Sequence, residues 1–446
     1  MYPTPTTDVS RRLARAWLWL GVAALIGSGL LAILLVLSRT PGIQDVFPLK
    51  DFFRAALVVH VDQSVLIWFM AFAAVLWSVG GSGDLAGLGW VSFVLAAVGT
   101  AVMTVSPFVP DSQPLLNNYI PMLRQPLFVA GLLVCGSGFA LAITRALLTV
   151  RPGGLDDMAG AMRLGLLLAA ATGAIAFAGF VVSWLEAPAY EGQAYYETLF
   201  WGGGHTLQFQ HTLLLAVAWL WLGAHLDVAP PISARVIAAL LLVTALPVLA
   251  APVIYLVAPV GSAQHIVDFA QLMVWGHPLM LPLVILAGLS LWRSWGRRDD
   301  PAQSALVCSV VLFAVGGILA YMIQGTNVVI PAHYHGSIVG VTLAFMGLTY
   351  VLLPQLGFGV AKGPMARWQP YVYGGGQLLH VLGLAWSGGY GIQRKVAGAE
   401  QMLASLPQKL GMGLMGLGGV IAIIGGLMFV LVCWRAMAGS ASRRNQ

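Results

Sequence analysis

The sequence predicts an all-α integral membrane protein, a bundle of about twelve transmembrane helices. Hydrophobic residues make up 59% of the 446 residues and charged residues only 9%, against roughly 25% charged residues in an ordinary soluble domain. Apolar runs of about 20 residues, the length that spans a bilayer, recur along the whole chain. A soluble fold would leave much of this apolar surface in water, whereas a bilayer surrounds it with lipid.

Loops rich in helix-breaking residues separate the apolar runs and mark where the predicted helices end. Arg-Thr-Pro-Gly at 39–42 and Arg-Pro-Gly-Gly at 151–154 mark two such loops. We see no internal repeat or soluble linker, so residues 1–446 are predicted to form a single transmembrane domain. The predicted spans lie near 14–37, 53–80, 86–106, 122–148, 158–184, 197–222, 232–257, 266–292, 302–323, 328–354, 370–389 and 409–435.

The distribution of cations predicts the orientation of the helices. With twelve spans both termini lie on one side, and cytoplasmic termini agree best with the positive-inside rule. The net charge of +6 does not indicate nucleic acid as a partner, because no basic stripe with interleaved aromatic residues is present. Of the 22 Lys and Arg residues, this orientation leaves seven outside: Arg39, Lys50, Arg54, Arg124, Arg394, Lys395 and Lys409.

Histidines within the spans are the candidate functional residues. An ionisable side chain at membrane depth is costly, which makes it a functional candidate by default. His60, His205, His333 and His335 come shortly after the outer ends of predicted helices 2, 6 and 10. This places all four roughly 8–15 Å below the outer surface. Random placement would seldom put four histidines from three helices at one depth, which indicates a common functional site. The seven histidines within spans are His60, His205, His211, His277, His333, His335 and His380.

The strongest local signal is the segment Pro331-Ala332-His333-Tyr334-His335-Gly336. Two residues along a helix turn by about 200°, so the two histidines point to opposite faces. They are poorly placed to bind one metal together, but they can bind two cofactors on either side of the helix. Gly336 is expected to let a flat macrocycle approach the backbone. The alternative is a pair of histidines hydrogen-bonded to neighbouring helices.

This segment, in the tenth of twelve helices, resembles subunit I of the haem-copper oxidase superfamily, which includes nitric oxide reductases. Leu57-Val58-Val59-His60-Val61-Asp62 is similar to the low-spin haem segment of the family's helix 2. Trp201-Gly202-Gly203-Gly204-His205 is similar to the segment that supplies the first ligand of the second metal. The pair Arg394-Lys395 resembles the basic pair that clamps haem propionates. The resemblance implies a twelve-helix bundle of the haem-copper oxidase subunit I type.

The resemblance also implies two haems, b-type or related, and assigns their ligands. His60 and His335 would be the axial pair of a low-spin haem that relays electrons. His333 would be the only protein ligand of a high-spin haem whose open face binds the substrate. Neutral imidazole is a good iron ligand, and its second nitrogen needs a hydrogen-bond partner that fixes the tautomer.

The second metal, copper or non-haem iron, is the first point where the sequence departs from the family. The family holds it with the helix 6 histidine and an adjacent His-His pair, and this sequence has no His-His pair. His205, His265 and His277 are the remaining candidates. Alternatively, His265 lies in an exposed loop and His277 is hydrogen-bonded within the bundle. His211 is interpreted as structural, and His380 either hydrogen-bonds a haem substituent or quinone or, more simply, has a packing role.

Oxygen chemistry and proton supply are the other departures. Phe209 stands where oxidases of the family carry a tyrosine, and Tyr255 is the obvious substitute. The glutamate of nitric oxide reductases is missing too. No Lys lies within a span, and the carboxylates Asp62 and Asp268 lie near the outer end. Strong proton pumping is therefore not expected, and protons are expected to enter from outside, unless the acidic loop with Glu186, Glu191 and Glu197 is merely solvated surface.

The resemblance implies an oxidoreductase of aerobic respiration in a prokaryotic inner membrane. Its electron donor would be cytochrome c or quinol, acting through a membrane-anchored electron-entry subunit, and its substrate would be O₂ or NO. The alternative is a non-catalytic dihaem membrane cytochrome that has lost the second metal and serves electron transfer or gas sensing. A transporter without cofactors fits the helix count but does not explain the histidines.

Overall fold

The computed structural model describes residues 2–39, 50–110, 112–228, 230–294, 300–394 and 401–442. The helices are α1 (Asp8–Arg39), α2 (Lys50–Val61), α3 (Trp68–Gly80), α4 (Ala86–Val105), α5 (Pro126–Thr149), α6 (Met158–Glu186), α7 (Gly192–His225), α8 (Ala234–Ala245), α9 (Ala250–Val257), α10 (Ala263–Gly276), α11 (Leu281–Arg293), α12 (Pro301–Ala320), α13 (Val329–Gln355), α14 (Pro364–Gly389) and α15 (Leu406–Ser442). A short antiparallel pair, β1 (Gln113–Leu115) and β2 (Met122–Arg124), lies between α4 and α5. The all-α prediction is confirmed.

Eleven helical segments among the described residues are long and apolar enough to cross a membrane. Three of these segments join two helices through a short irregular turn: a π-helix between α2 and α3, and 3₁₀ turns between α8 and α9 and between α10 and α11. The twelfth long helix, α14, spans 26 residues but is not among the eleven. The chain is an integral membrane protein, and the prediction of about twelve crossings is confirmed for eleven of them.

The chain divides into two compact units, so the single domain predicted from the sequence stays a prediction. The first unit contains Met1–Ala24, Val61–Ala224 and Ala229–Ala287. Within it α4 packs along α5, and α6 packs along α8. Glycines allow the first of these contacts, because a Cβ at Gly131 would lie 3.1 Å from the Gly99 oxygen. Small residues at such contacts let helix backbones approach, which supplies packing energy where lipid offers no hydrophobic gain.

The second unit contains Leu25–His60, His225–Val228 and Gly288–Gln446. Its helices α12 and α13 pack together, as do α14 and α15. A Cβ at Gly336 would lie 2.7 Å from the Gly316 Cα of α12. Gly336 therefore serves the crossing of two helices, and the expectation that it opens the backbone to a macrocycle is wrong.

A π-helix at Asp62–Ile67 follows directly after α2. Single π turns inside α-helices often mark functional positions, because they shift the register of the side chains. Asp62 is 1% exposed, and neither carboxylate oxygen has a hydrogen-bond partner among the described residues. The sequence predicted one continuous span here and gave no sign of the π turn.

Candidate cofactor site

His60 and His333 are each held by the main chain of a neighbouring helix in the second unit. His60 Nδ1 lies 2.9 Å from the Ser28 carbonyl oxygen on α1, and His333 Nδ1 lies 2.8 Å from the Gly316 carbonyl oxygen on α12. An Nδ1–H that donates to a carbonyl makes Nε2 the acceptor nitrogen and fixes the ring orientation. Metal-binding histidines almost always show this pairing, so both side chains fit haem iron.

His333 and His335 lie against different helices, as their two-residue spacing predicts. His333 is directed to α12, whereas the ring of His335 lies 4.8 Å from that of His380 on α14. The separation follows from the helical turn of about 200° between the two positions. The geometry suits two cofactors on two faces of α13 and does not suit one metal shared by both side chains.

Gly316 allows α12 and α13 to pack closely, and its carbonyl oxygen accepts the hydrogen bond from His333. We expect Gly316→Ala to lower the free energy of unfolding by about 1–3 kcal/mol, because the new methyl would overlap the Ser337 nitrogen. Gly317→Ala is the matched control, since a Cβ there meets nothing within 4 Å. Denaturation of the purified chains in detergent measures the difference. Equal stability of the two variants would contradict the close contact.

In the first unit, His205 is held within its own helix and enclosed by aromatic rings. Its Nδ1 lies 2.7 Å from the Trp201 carbonyl oxygen, and its ring centroid is 4.5 Å from that of Trp201 and 4.8 Å from that of Tyr119. Gly204 lies beneath the Tyr119 ring, where any side chain would overlap it. His205 therefore has the anchored form expected of a metal ligand.

His265 lies in the first turn of α10, which starts earlier than predicted. Ser262 caps this helix, because its side chain accepts a hydrogen bond from the His265 backbone N–H at 3.1 Å. His265 is fully buried, so the alternative of an exposed loop is wrong. Neither ring nitrogen has a hydrogen-bond partner among the described residues. A buried imidazole without hydrogen-bond partners is costly, and either of its nitrogens is free to bind a metal such as copper or non-haem iron. Within the described part of the chain, His265 lacks the anchored second nitrogen that His60 and His333 have.

His277 lies in the 3₁₀ turn between α10 and α11 and stacks on Phe209. The ring centroids are 4.2 Å apart and the planes nearly parallel, at 6°. The rings of His205 and His265 both lie against Phe269, at centroid distances of 5.9 and 5.0 Å. Phe209, which stacks on His277, is one helical turn after His205, so the fold brings the three predicted ligands near one another. Within the described part of the chain, however, no three His, Cys, Asp or Glu side chains are grouped closely enough to hold a metal as they stand.

Two tyrosines lie beside this group of histidines. Tyr255 on α9 shares a hydrogen bond with Ser183 at 2.9 Å, and its ring centroid is 5.2 Å from that of His265. Sequence reasoning missed Tyr119, which lies in the loop after α4. Burial, and secondarily the Glu197 carboxylate, raise the pKa of Tyr119 above its ordinary value, so its hydroxyl stays neutral. No sequence signal links a loop residue to a ring 86 positions later.

The remaining residues that the sequence singled out lie outside this group of histidines and tyrosines or at its edge. His211 packs edge-on against Phe69, with ring centroids 4.9 Å apart, which agrees with the structural interpretation. Glu197 accepts a hydrogen bond from the Asn118 backbone N–H at 3.2 Å. Arg394 is partly buried, and Lys395 lies outside the described residues.

Comparisons with known proteins address the family directly. The family model "Cytochrome C and Quinol oxidase polypeptide I" matches residues 12–428. An uncharacterized protein of Rickettsia prowazekii is 30% identical, with 95% of this chain and 96% of that protein aligned. An uncharacterized protein of Aquifex aeolicus is 28% identical, with 80% and 88% aligned.

A solved structure supports the same fold. The chain of a heme-copper terminal oxidase dimer, determined by cryo-EM, matches with a TM-score of 0.70 and 14% identity, covering 98% of this chain and 84% of the other. The family model covers nearly the whole chain, and the solved structure has the same architecture. The chain therefore belongs to the cytochrome c and quinol oxidase polypeptide I family, the subunit I family of the haem-copper oxidases.

Proposed function

We propose that this chain is the haem-carrying subunit I of a respiratory terminal reductase in a prokaryotic inner membrane. Electrons would pass through a low-spin haem to a high-spin haem that reduces O₂ or NO. The observation that carries the proposal is the anchoring of His60 and His333, each by Nδ1 to a carbonyl of another helix. Such a bond also joins two helices, and a purely structural histidine would form it as well. What supports the proposal is that both anchored histidines stand at the positions where the family resemblance implies haem ligands.

The histidines of the second unit would divide the two haem roles. His60 and His335 would together hold the low-spin haem, which would relay electrons. His333 would be the only protein ligand of the second haem, which would bind and reduce the gas. Bound haem supplies the one-electron chemistry, and the protein tunes it through axial ligands and a dry pocket. Arg394 and Lys395 would pair with the propionates.

The second metal would be copper or non-haem iron held by His205, His265 and His277. His265 supports this most directly, since both of its ring nitrogens are buried and unpaired. Phe209 has no hydroxyl and instead stacks on His277. Tyr255, hydrogen-bonded to Ser183, is the phenol beside His265, and it would hold a proton close to the reacting gas.

Electrons would come from cytochrome c or quinol. The sequence contains no CxxCH segment for covalent haem attachment, so a membrane-anchored electron-entry subunit would deliver them. Protons would enter from the outer side, where Glu197 and Tyr119 adjoin. Within the described spans, the one lysine is Lys409, near the start of Leu406–Gly439. The predicted orientation puts Lys409 at the outer end, so no lysine of these spans would carry protons in from the cytoplasm.

One observation favours a second candidate function, a non-catalytic dihaem cytochrome. In the described residues, the side chains of His205, His265 and His277 are not grouped closely enough to hold a metal. A chain without that metal would keep its two haems and serve electron transfer or gas sensing.

Metal and haem analysis of the purified chain tests both functions. Two haem irons and one copper per chain would support an oxidase-type centre. Three irons, of which two are in haem, would support nitric oxide reduction. Two haem irons with no other metal would favour the non-catalytic cytochrome. A chain purified from haem-replete cells without any haem would overturn the proposal.

A further inference from the structure

His380 on α14 lies beside the imidazole ring of His335. The ring centroids are 4.8 Å apart, and the ring planes are inclined by 60°. His380 Nδ1 lies 3.0 Å from the Met415 carbonyl oxygen on α15. The ring is therefore held by the main chain of a second helix while it contacts a proposed haem ligand. The proposed function gives His380 no part.

Close contact between α14 and α15 explains how the Met415 carbonyl reaches this ring. A side chain at Gly418 would overlap the backbone nitrogen of His380, and a Cβ at Gly376 would lie 2.5 Å from the Ala422 nitrogen. Small residues bring the two helix backbones together over this stretch. The position of His380 relative to Met415 is therefore set by the close packing of α14 on α15.

An imidazole is a costly choice at membrane depth if only packing is needed. A leucine or methionine would fill a similar volume without a polar group. His380 instead has the same Nδ1-to-carbonyl pairing as His60 and His333. That pairing fixes the tautomer and the ring orientation. The ring held in this orientation lies against the ring of His335, with the two planes inclined by 60°.

We propose that His380 is a positioning residue that sets the plane of the His335 imidazole. The inference rests on the proposed function, because it requires His60 and His335 to be the axial pair of the low-spin haem. The terminal torsion of a histidine is soft, so contact with a fixed ring restrains it. The imidazole plane controls the overlap of its π orbitals with the iron d orbitals. Ring orientation therefore affects the spectrum and reduction potential of that haem.

Two substitutions of His380 distinguish the effect of its ring from the effect of its hydrogen bond to Met415. His380→Phe keeps an aromatic ring beside His335 but loses the hydrogen bond to Met415, whereas His380→Ala removes both. Leu382→Ala is the control on the same helix, at a side chain that is 45% exposed. Each purified chain is measured for haem content, for the EPR g values of the low-spin ferric haem and for the midpoint potential of that haem.

We expect His380→Ala to shift and broaden the low-spin signal, move the midpoint potential and weaken low-spin haem retention about 10-fold. His380→Phe should give a smaller shift, and Leu382→Ala none. If His380→Ala fails to fold, His380→Phe decides. Unchanged g values and potential in a folded His380 variant overturn this inference and leave the proposed function standing. A wild-type chain without low-spin haem overturns both.

Discussion

Replacing His333 by Ala should remove the high-spin haem from the purified chain and leave the low-spin haem in place. His333 is the only protein ligand proposed for that iron, its Nδ1 is held by the Gly316 carbonyl, and alanine has no donor atom to replace the imidazole. The haem content should fall from about two to about one per chain. Binding of carbon monoxide to the reduced protein and all gas reduction should disappear with it, because they need an iron with an open position.

Ser337→Ala provides the control for this experiment. Ser337 lies one turn further along α13 and donates its hydroxyl to the His333 carbonyl at 2.9 Å, but it cannot bind iron in the way an imidazole does. Its variant should keep both haems and the carbon monoxide complex. A His333→Ala chain that still contains two haems and binds carbon monoxide would show that another residue holds the high-spin iron.

Replacing His265 by Leu should abolish the non-haem metal while leaving both haems bound. The metal content distinguishes a metal ligand from a packing residue, and the stability of the metal-free chain tests whether the imidazole is unpaired. The His265 ring is buried with neither nitrogen paired among the described residues. Exchanging an unpaired buried polar group for an apolar one of similar size is neutral or stabilising. The metal-free chain should therefore unfold at the same temperature or higher, while copper and non-haem iron fall to background.

His211→Leu is the matched control for His265→Leu. It is another buried histidine of the same unit, and its Nδ1 also has no partner in the described residues. It packs on Phe69, and we assign it no metal. Its variant should retain the metal of the wild-type chain, as measured by elemental analysis. Loss of metal from the His211 variant, or full metal content in the His265 variant, would refute the ligand assignment.

Local signals in the sequence were enough for most of the fold. Apolar length located the spans, and the two-residue spacing of His333 and His335 correctly placed their side chains on different faces of α13. The start of α10 was missed, although Ser262 is an ordinary capping residue. The π turn after His60 was missed as well, because no residue pattern distinguishes it from a regular helix.

Contacts between distant parts of the chain explain the remaining errors. Gly336 was assigned to a macrocycle because the sequence does not show that Gly316 of another helix lies against it. Tyr119 was overlooked for the same reason, since only the folded chain brings it onto His205. The family resemblance supplied the ligand assignments, but it gave no indication of the contact between His335 and His380.

The location of each anchoring carbonyl has a consequence for biogenesis. His205 takes its anchor from Trp201 on the same helix, so that ring is oriented as soon as α7 forms in the membrane. His333 takes its anchor from α12 and His60 from α1, so neither is oriented until two helices have paired. His333 itself lies on α13, so its ring is oriented only after α13 has been made and has paired with α12. Insertion of the proposed high-spin haem would therefore follow the pairing of these two helices.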